Sequence, residues 1–173
     1  MTFRILVAYA SKYGATAEIA EKIGQVLREA GLTVHVLNVS QVFDLTPFDA
    51  VVLGSAVYDA GWRKEAVEFL EEYEASLAKI PVWLFSSGAI GKGNPTTLMH
   101  GWQFPADLQA RAYRIHPRDV AYFNGALDME KINFAERIII KENQSPAGDF
   151  RDWEAITNWA AGISAALKPQ TNQ

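Results

Sequence analysis

The sequence of 173 residues contains no cysteine, and little else in it points to thiol or metal chemistry. Without cysteine, the protein cannot form disulfides, thiolate zinc sites, iron–sulfur clusters or a cysteine nucleophile. The three histidines, His35, His100 and His116, are far apart, and their spacing is not that of a metal site. We therefore expect no metal ligands and interpret the histidines as structural or surface residues.

The sequence also lacks long hydrophobic runs and an excess of positive charge. Its N-terminal apolar run ends at Lys12 and is too short for a signal peptide or a membrane-spanning helix. The formal net charge of -4 argues against nonspecific affinity for nucleic acid or anionic lipid. What is present, 49% hydrophobic and 21% charged residues, is typical of a globular protein with one core. The expectation is a cytoplasmic enzyme or carrier.

Segments with strand and helix patterns alternate along the chain. Short β-rich runs predict five strands, at 4–9, 33–37, 50–53, 81–86 and 120–123. Apolar stripes of helical period predict helices at 14–30, 62–77 and 152–167, with a shorter one near 106–112. Gly54 marks the predicted end of the third strand, and 88–97 is a predicted loop. The stretch 125–150 is the least regular and holds one β-branched run, Ile138–Ile140.

This alternation predicts an α/β domain with a parallel sheet that is covered by helices on both faces. In such sheets, ligands bind at the carboxyl ends of the strands, near a topological switch point. The candidate site therefore consists of the loops after the first, third and fourth predicted strands. We expect one domain over 1–168 and a disordered tail at 169–173.

The loop after the first strand leads directly into a helix and suits a phosphate. The start of a helix presents unpaired N–H groups and the positive end of its dipole. Gly14 lets the backbone approach the anion, Ser11 and Thr16 can add hydroxyl donors, and Lys12 can add charge. The alternative is that Ser11 caps the helix and Gly14 only turns the chain. No P-loop and no dinucleotide-binding glycine motif is present, and the acidic residues of a receiver domain are missing.

The same loop resembles the phosphate loop of flavodoxins, T/S-x-T-G-x-T, with Tyr13 in place of the usual Thr or Asp. The resemblance implies FMN as the cofactor. It also implies a flavodoxin-like three-layer α/β sandwich, with a five-stranded parallel sheet in the order 2-1-3-4-5 and helices on both faces. The residues that it assigns to the phosphate are Ser11, Lys12, Tyr13, Gly14, Ala15 and Thr16.

The loops after the third and fourth strands fit a flavin in the same resemblance. Small residues let backbone groups reach the ring edge, and Tyr58 holds a position where flavodoxins commonly have an aromatic residue. Trp62 is either a second ring contact or the first core residue of the next helix, and ordinary packing is the alternative for both aromatics. A plain glycine-rich surface loop is the alternative after the fourth strand. The flavin contacts expected from these two loops are Ala56, Val57, Tyr58, Ser87, Gly88 and Ala89.

Four longer segments are similar to the menaquinone-dependent protoporphyrinogen dehydrogenase branch of the flavodoxin-like proteins. They are YASKYGATAEIA, GSAVYDAGWRKEAVEFL, FNGALD and DFRDWEAITNWA. The resemblance implies an FMN-dependent oxidoreductase with a quinone as electron acceptor, and it names no catalytic side chain. The arginine that this branch can carry in the third-strand loop corresponds to Tyr58 or a neighbour. The cations in the relevant loops that could meet porphyrin propionates are Lys12, Arg63, Lys64 and Lys92.

Two other functions remain open from the sequence. One is an electron-transfer flavodoxin that docks to a redox-protein partner. Dedicated shuttles tend to be strongly acidic, so a net charge of -4 favours the enzyme slightly. The other is a flavodoxin-like domain that has lost FMN and serves as an interaction module, because Tyr13 and Ala89 depart from the flavodoxin pattern.

Overall fold

The computed structural model describes residues 3–58, 60–98 and 106–168, without the side chains of Ala89 and Thr96. The predicted tail at 169–173 lies outside the described residues. The strands are β1 Arg4–Ala10, β2 Thr33–Asn38, β3 Ala50–Tyr58, β4 Gly61–Trp62, β5 Val82–Ala89, β6 Asp119–Asn124, β7 Ala126–Leu127 and β8 Gly148–Asp149. The α-helices are α1 Ala15–Glu29, α2 Lys64–Leu77, α3 Pro95–Leu98, α4 Gln109–Ile115, α5 Phe134–Glu142 and α6 Trp153–Leu167. Short 3-10 turns lie at Val39–Gln41 and Ala106–Leu108.

The five long strands form one parallel sheet in the order β2-β1-β3-β5-β6. This is the predicted order, with β4 added as a two-residue strand that pairs antiparallel with β3. The pair β7 and β8 forms a separate antiparallel ladder. The switch point lies between β1 and β3, where the chain order of the strands reverses.

The core lies on both faces of the sheet, as the continuous apolar runs of the strands predict. Alternate residues of one strand point to opposite faces, so Leu6 packs in the layer of α2 and α4, whereas Ile5 and Val7 pack in the layer of α1 and α6. Ile23 of α1 and Ile156 of α6 are fully buried there. The three-layer flavodoxin-like sandwich is confirmed.

The prediction that the third strand ends at Gly54 was wrong. β3 continues to Tyr58, and β4 then pairs with it through Val57–Trp62 and Tyr58–Gly61. Gly54 marks a close approach between strands, because a Cβ there would lie 2.0 Å from Cζ of Phe85 on β5. The missing side chain makes room for a core ring and does not terminate the strand.

The stretch 125–150 contains a helix, α5, that the β-branched run did not predict. Asn133 caps it, because the Asn133 side-chain oxygen accepts the Glu136 backbone N–H at 2.9 Å. No residue of α5 is buried, and Phe134 and Ile139 are exposed. The cap overrides the modest strand preference of Ile138–Ile140. No helix in the described ranges has the length and apolar content needed to cross a membrane.

Candidate functional site

The three candidate loops lie side by side at the carboxyl edge of the sheet. Ala10, at the end of β1, is opposite Ser55 of β3, and Ser55 is opposite Ser86 of β5. The predicted contacts Ala56 and Ser87 are opposite each other on the same two strands. The structure therefore brings the predicted site residues of all three loops to one end of the central strands.

The loop from β1 to α1 leaves backbone donors at the start of the helix. Gly14 is the N-cap residue, with φ of 95°, and no atom lies within 4 Å of where its Cβ would be. Among the described residues, nothing accepts the backbone N–H groups of Ala15, Thr16 and Ala17. Such free donors at a helix start are what binds a phosphate.

The hydroxyls of this loop are placed to donate. The Ser11 hydroxyl oxygen accepts the Gly14 N–H at 3.0 Å, which leaves the Ser11 hydrogen available. Ser11 thus supports the turn, as the capping interpretation expected, without losing its capacity as a donor. Thr16 is 2% exposed, and its hydroxyl makes no hydrogen bond with any described residue. The Thr16 hydroxyl is therefore available as a donor to a group that binds at the start of α1.

Lys12 and Tyr13 both contact a carboxylate from a distant part of the chain. The Lys12 ammonium and the Tyr13 hydroxyl each donate to Glu136, in the first turn of α5. The hydrogen bond with Glu136 raises the pKa of Lys12, and the bond with Lys12 holds the pKa of Glu136 below its ordinary value. The positive charge of Lys12 at the phosphate loop is therefore already paired with a carboxylate of the same chain, that of Glu136.

Tyr58 presents a ring at the edge of the site between two cations. The residue is 42% exposed, with Lys12 Nζ at 5.8 Å and the Arg63 guanidinium carbon at 6.0 Å from the ring centroid. Burial of the remainder of the side chain raises the pKa of the Tyr58 hydroxyl. Because the ring is outside both core clusters, ordinary core packing does not account for its position.

Trp62 has a different environment. It is the second residue of β4, and only Arg63 separates it from α2. Its side chain is in the core and is 7% exposed. Its indole N–H donates to the Ser86 hydroxyl at 2.8 Å. Of the two interpretations of Trp62, the structure supports the core residue.

The loop after β5 is held close to β3 by glycines. Gly88 has φ of 154°, and a Cβ there would lie 3.1 Å from the Val57 carbonyl oxygen. Gly125, after β6, packs in the same way against Gly88, where a Cβ would lie 3.0 Å from the Gly88 Cα. The backbone of Ala89 pairs with that of Asn124. These contacts place the backbone of Val57 and Gly88 together at the site.

Sequence reasoning missed two residues that shape the site. Asn124 donates its side-chain amide to the carbonyls of Gly91, at 2.9 Å, and Gly93, at 3.1 Å, so it fixes the glycine-rich loop. Glu136 reaches the phosphate loop from 123 residues away. The spacing Asn133-x-x-Glu136 is a helix-start signal that could have revealed α5, but no local pattern indicates where its carboxylate lies.

These features fit FMN. A phosphate finds free N–H groups, two hydroxyls and one lysine, and a flat ring finds the exposed face of Tyr58 beside the close backbone approach of Val57 and Gly88. By contrast, no cluster of three or more His, Asp or Glu side chains suited to a metal ion occurs within the described ranges. The arrangement can hold a phosphorylated, planar cofactor at the switch point of a doubly wound sheet.

Comparison with known proteins identifies the class. Residues 6–153 match the flavodoxin domain family, so this chain belongs to that family. FMN is the cofactor that this membership indicates. Solved structures with the same fold include a flavodoxin from the domain Archaea, with a TM-score of 0.65 and 15% identity over 96% of this chain and 100% of that one. Flavodoxin 1 from Bacillus cereus gives a TM-score of 0.62 and 16% identity over 95% and 99% of the two chains.

Curated relatives have a more specific name. The chain is 24% identical to protoporphyrinogen IX dehydrogenase [quinone] of Escherichia coli strain K12, over 93% of this chain and 94% of the relative. The protein of the same name from Escherichia coli O157:H7 matches at the same identity and coverage. Alignment over nearly the whole of both chains agrees with the resemblance of the four sequence segments.

Proposed function

We propose that this protein is an FMN-dependent oxidoreductase of the protoporphyrinogen dehydrogenase type, with a quinone as its electron acceptor. The Escherichia coli relatives, which are similar over nearly the whole of both chains, support the reaction class. The observation on this chain that carries the proposal is the half-exposed ring of Tyr58, with Lys12 and Arg63 about it, beside a helix start that is free to bind phosphate. An aromatic face and cations at one edge suit a flat, anionic substrate next to a flavin.

In this proposal the chain holds the cofactor and orients it. The N-terminus of α1 and the hydroxyls of Ser11 and Thr16 hold the phosphate, with Lys12, Tyr13, Gly14 and Ala15 completing the loop. The ring lies against the second and third loops, with Ala56, Val57, Tyr58, Ser87, Gly88 and Ala89 as its contacts. When bound, FMN supplies the electron-transfer chemistry, and the protein supplies position and electrostatics.

A cavity lies next to the glycine-rich loop after β5, and its lining does not include Tyr58 or Arg63. It has a volume of about 790 Å³ and is lined by Lys92, Asn94, Tyr122, Phe150 and neighbouring residues. Sites for small molecules commonly measure roughly 300–1,000 Å³.

Two adjacent cations in the loop after β3, Arg63 and Lys64, have different surroundings. The Arg63 backbone N–H donates to the Ser55 hydroxyl at 3.0 Å, and its guanidinium, which pairs with Glu65 at 2.6 Å, is 22% exposed and lies 6.0 Å from the Tyr58 ring centroid. Lys64 pairs with Glu68 at 3.2 Å, and its side chain is 85% exposed. We therefore assign a role in meeting substrate carboxylates to Arg63, and Lys64 provides a matched control.

The test of this proposal is substrate-dependent reduction of the bound flavin by protoporphyrinogen. Arg63→Gln should raise the apparent KM about three- to tenfold with a smaller change in kcat, because it removes a binding charge. Lys64→Gln makes the same change of charge and should leave KM within twofold. If protoporphyrinogen does not reduce the flavin, or if both variants raise KM equally, the assignment of substrate and residue is wrong.

The alternative proposal is a flavodoxin-type electron-transfer protein that docks to redox partners. The likeness of the fold to solved flavodoxins supports it as well as it supports an enzyme. Under either proposal, the purified protein should be yellow and release FMN. Titration of the flavin-free protein should then show tighter binding of FMN than of riboflavin, which lacks the phosphate. A cytoplasmic location stays a prediction from the sequence.

A further inference from the structure

The first turn of α5 places an anion against the phosphate loop. Glu136 accepts hydrogen bonds from Lys12 and Tyr13, two adjacent residues of that loop, which follow β1 far from α5 in the chain. Glu136 is held there by its own backbone, since Asn133 accepts the Glu136 N–H. Its side chain is 27% exposed and that of Lys12 is 36% exposed. The contact is thus at the surface, and Glu136 is held both by the two donors of the phosphate loop and by the cap of its own helix.

We propose that Glu136 competes with the FMN phosphate for Lys12, and that it thereby sets how strongly the site prefers FMN to riboflavin. The inference rests on the proposed function, because it requires that the loop from Ser11 to Thr16 holds the phosphate. It adds a residue that determines specificity, from a helix outside the three flavin-binding loops.

The phosphate of FMN and the Glu136 carboxylate would compete for the same donor, Lys12. A phosphate monoester carries about -1.5 to -2 charges at pH 7. Lys12 is the one cationic side chain of the loop from Ser11 to Thr16, and the Glu136 carboxylate already neutralises it. A phosphate at the start of α1 must therefore draw Lys12 away from Glu136 or bind without its full charge. In both cases the carboxylate also repels the phosphate.

The position of Tyr13 makes the competition stronger. Flavodoxins usually have Thr or Asp at this place, and here the hydroxyl of Tyr13 is directed to Glu136. Two of the loop's side-chain donors thus point at α5. Lys12 Nζ also lies 5.1 Å from the Tyr13 ring centroid and 5.8 Å from that of Tyr58, so its ammonium is held between the phosphate loop and the loop after β3.

The test compares the affinities of flavin-free protein for FMN and for riboflavin, by quenching of flavin fluorescence. Glu136→Gln should raise the ratio of the riboflavin Kd to the FMN Kd about tenfold, equivalent to about 1.4 kcal/mol. Affinity for riboflavin should stay within twofold, because riboflavin has no phosphate. Glu142→Gln makes the same change at the other end of α5 and should change neither affinity by more than twofold.

A second pair of variants tests the route through Lys12. In a Lys12→Met background, Glu136→Gln should change the ratio by threefold or less, because there is no lysine to compete for and only the direct repulsion between the carboxylate and the phosphate remains. An equal effect in both backgrounds would overturn the competition.

The remaining outcomes are equally decisive. If Glu136→Gln lowers the ratio or leaves it unchanged while the wild type prefers FMN, the inference is wrong and the phosphate site stands. If the wild type binds the two flavins equally, the loop is not a phosphate site and both proposals fail. Since no residue of α5 is buried, we expect both α5 variants to keep the unfolding midpoint of the wild type.

Discussion

Tyr58→Ala separates cofactor binding from fold stability at this site. The ring of Tyr58 is 42% exposed and outside the two core clusters, so its removal should cost less than about 1 kcal/mol of unfolding free energy. Stacking of an aromatic side chain on a nucleobase is worth about 1–3 kcal/mol, and an isoalloxazine ring offers a comparable face. We therefore expect FMN affinity to fall roughly 5- to 150-fold.

Trp62→Ala is the control, because it also removes an aromatic side chain from this part of the chain, but one that is buried in the core. Trp62 is 7% exposed and hydrogen-bonded to Ser86, so truncation should cost about 3–5 kcal/mol of stability. The flavin-free proteins are compared by urea unfolding, and FMN binding is measured by fluorescence titration under conditions where each variant is folded. Unchanged FMN affinity in Tyr58→Ala, together with a large loss of stability, would refute the assignment of Tyr58 to the flavin.

Three further predictions follow from individual contacts. Gly14→Glu should abolish FMN retention on gel filtration, and Thr16→Val should weaken FMN binding by about 1.5–3 kcal/mol, because a hydrogen bond to a charged group is lost; unchanged titrations of either variant would contradict the phosphate site. Gly54→Ala should lower the thermal midpoint strongly, since its Cβ would lie 2.0 Å from Phe85, and a wild-type midpoint would show that β3 and β5 separate easily. Burial raises the pKa of Tyr122 to about 12 from an ordinary value of 10.0, so stability present below pH 10 should decline as the pH rises towards 12. Urea midpoints of wild type and Tyr122→Phe at pH 9 and 11 check this, and an equal decline in both would exclude Tyr122 as the cause.

The layers of the fold were predictable because they depend on local patterns. Strands buried on both faces appear as apolar runs, and the stripe of Ile156, Ala160 and Ile163 marked α6. The end of β3 was not predictable in this way. Glycine is usually a strand breaker, and only the ring of Phe85, from a different strand, explains why the strand runs through Gly54.

The site was predictable to the extent that topology places it. Once the strand order was known, the loops with Ser11, Tyr58 and Gly88 had to meet at one edge of the sheet. The contact of Glu136 with Lys12 depends on how α5 docks after a long irregular stretch. The core position of Trp62 depends likewise on the unpredicted strand β4 and on the hydroxyl of Ser86.

Reoxidation of the reduced protein tests the central claim, an enzyme that uses a quinone, most directly. The measurement is stopped-flow absorbance of the flavin after mixing with a menaquinone analogue, or with a redox-protein acceptor, at low and high salt. The account predicts fast reoxidation by the quinone, with saturation and little dependence on ionic strength, because a neutral acceptor is not steered by charge. Slow, non-saturating reaction with the quinone, beside fast and salt-sensitive reaction with the protein acceptor, would contradict it and favour the electron-transfer flavodoxin.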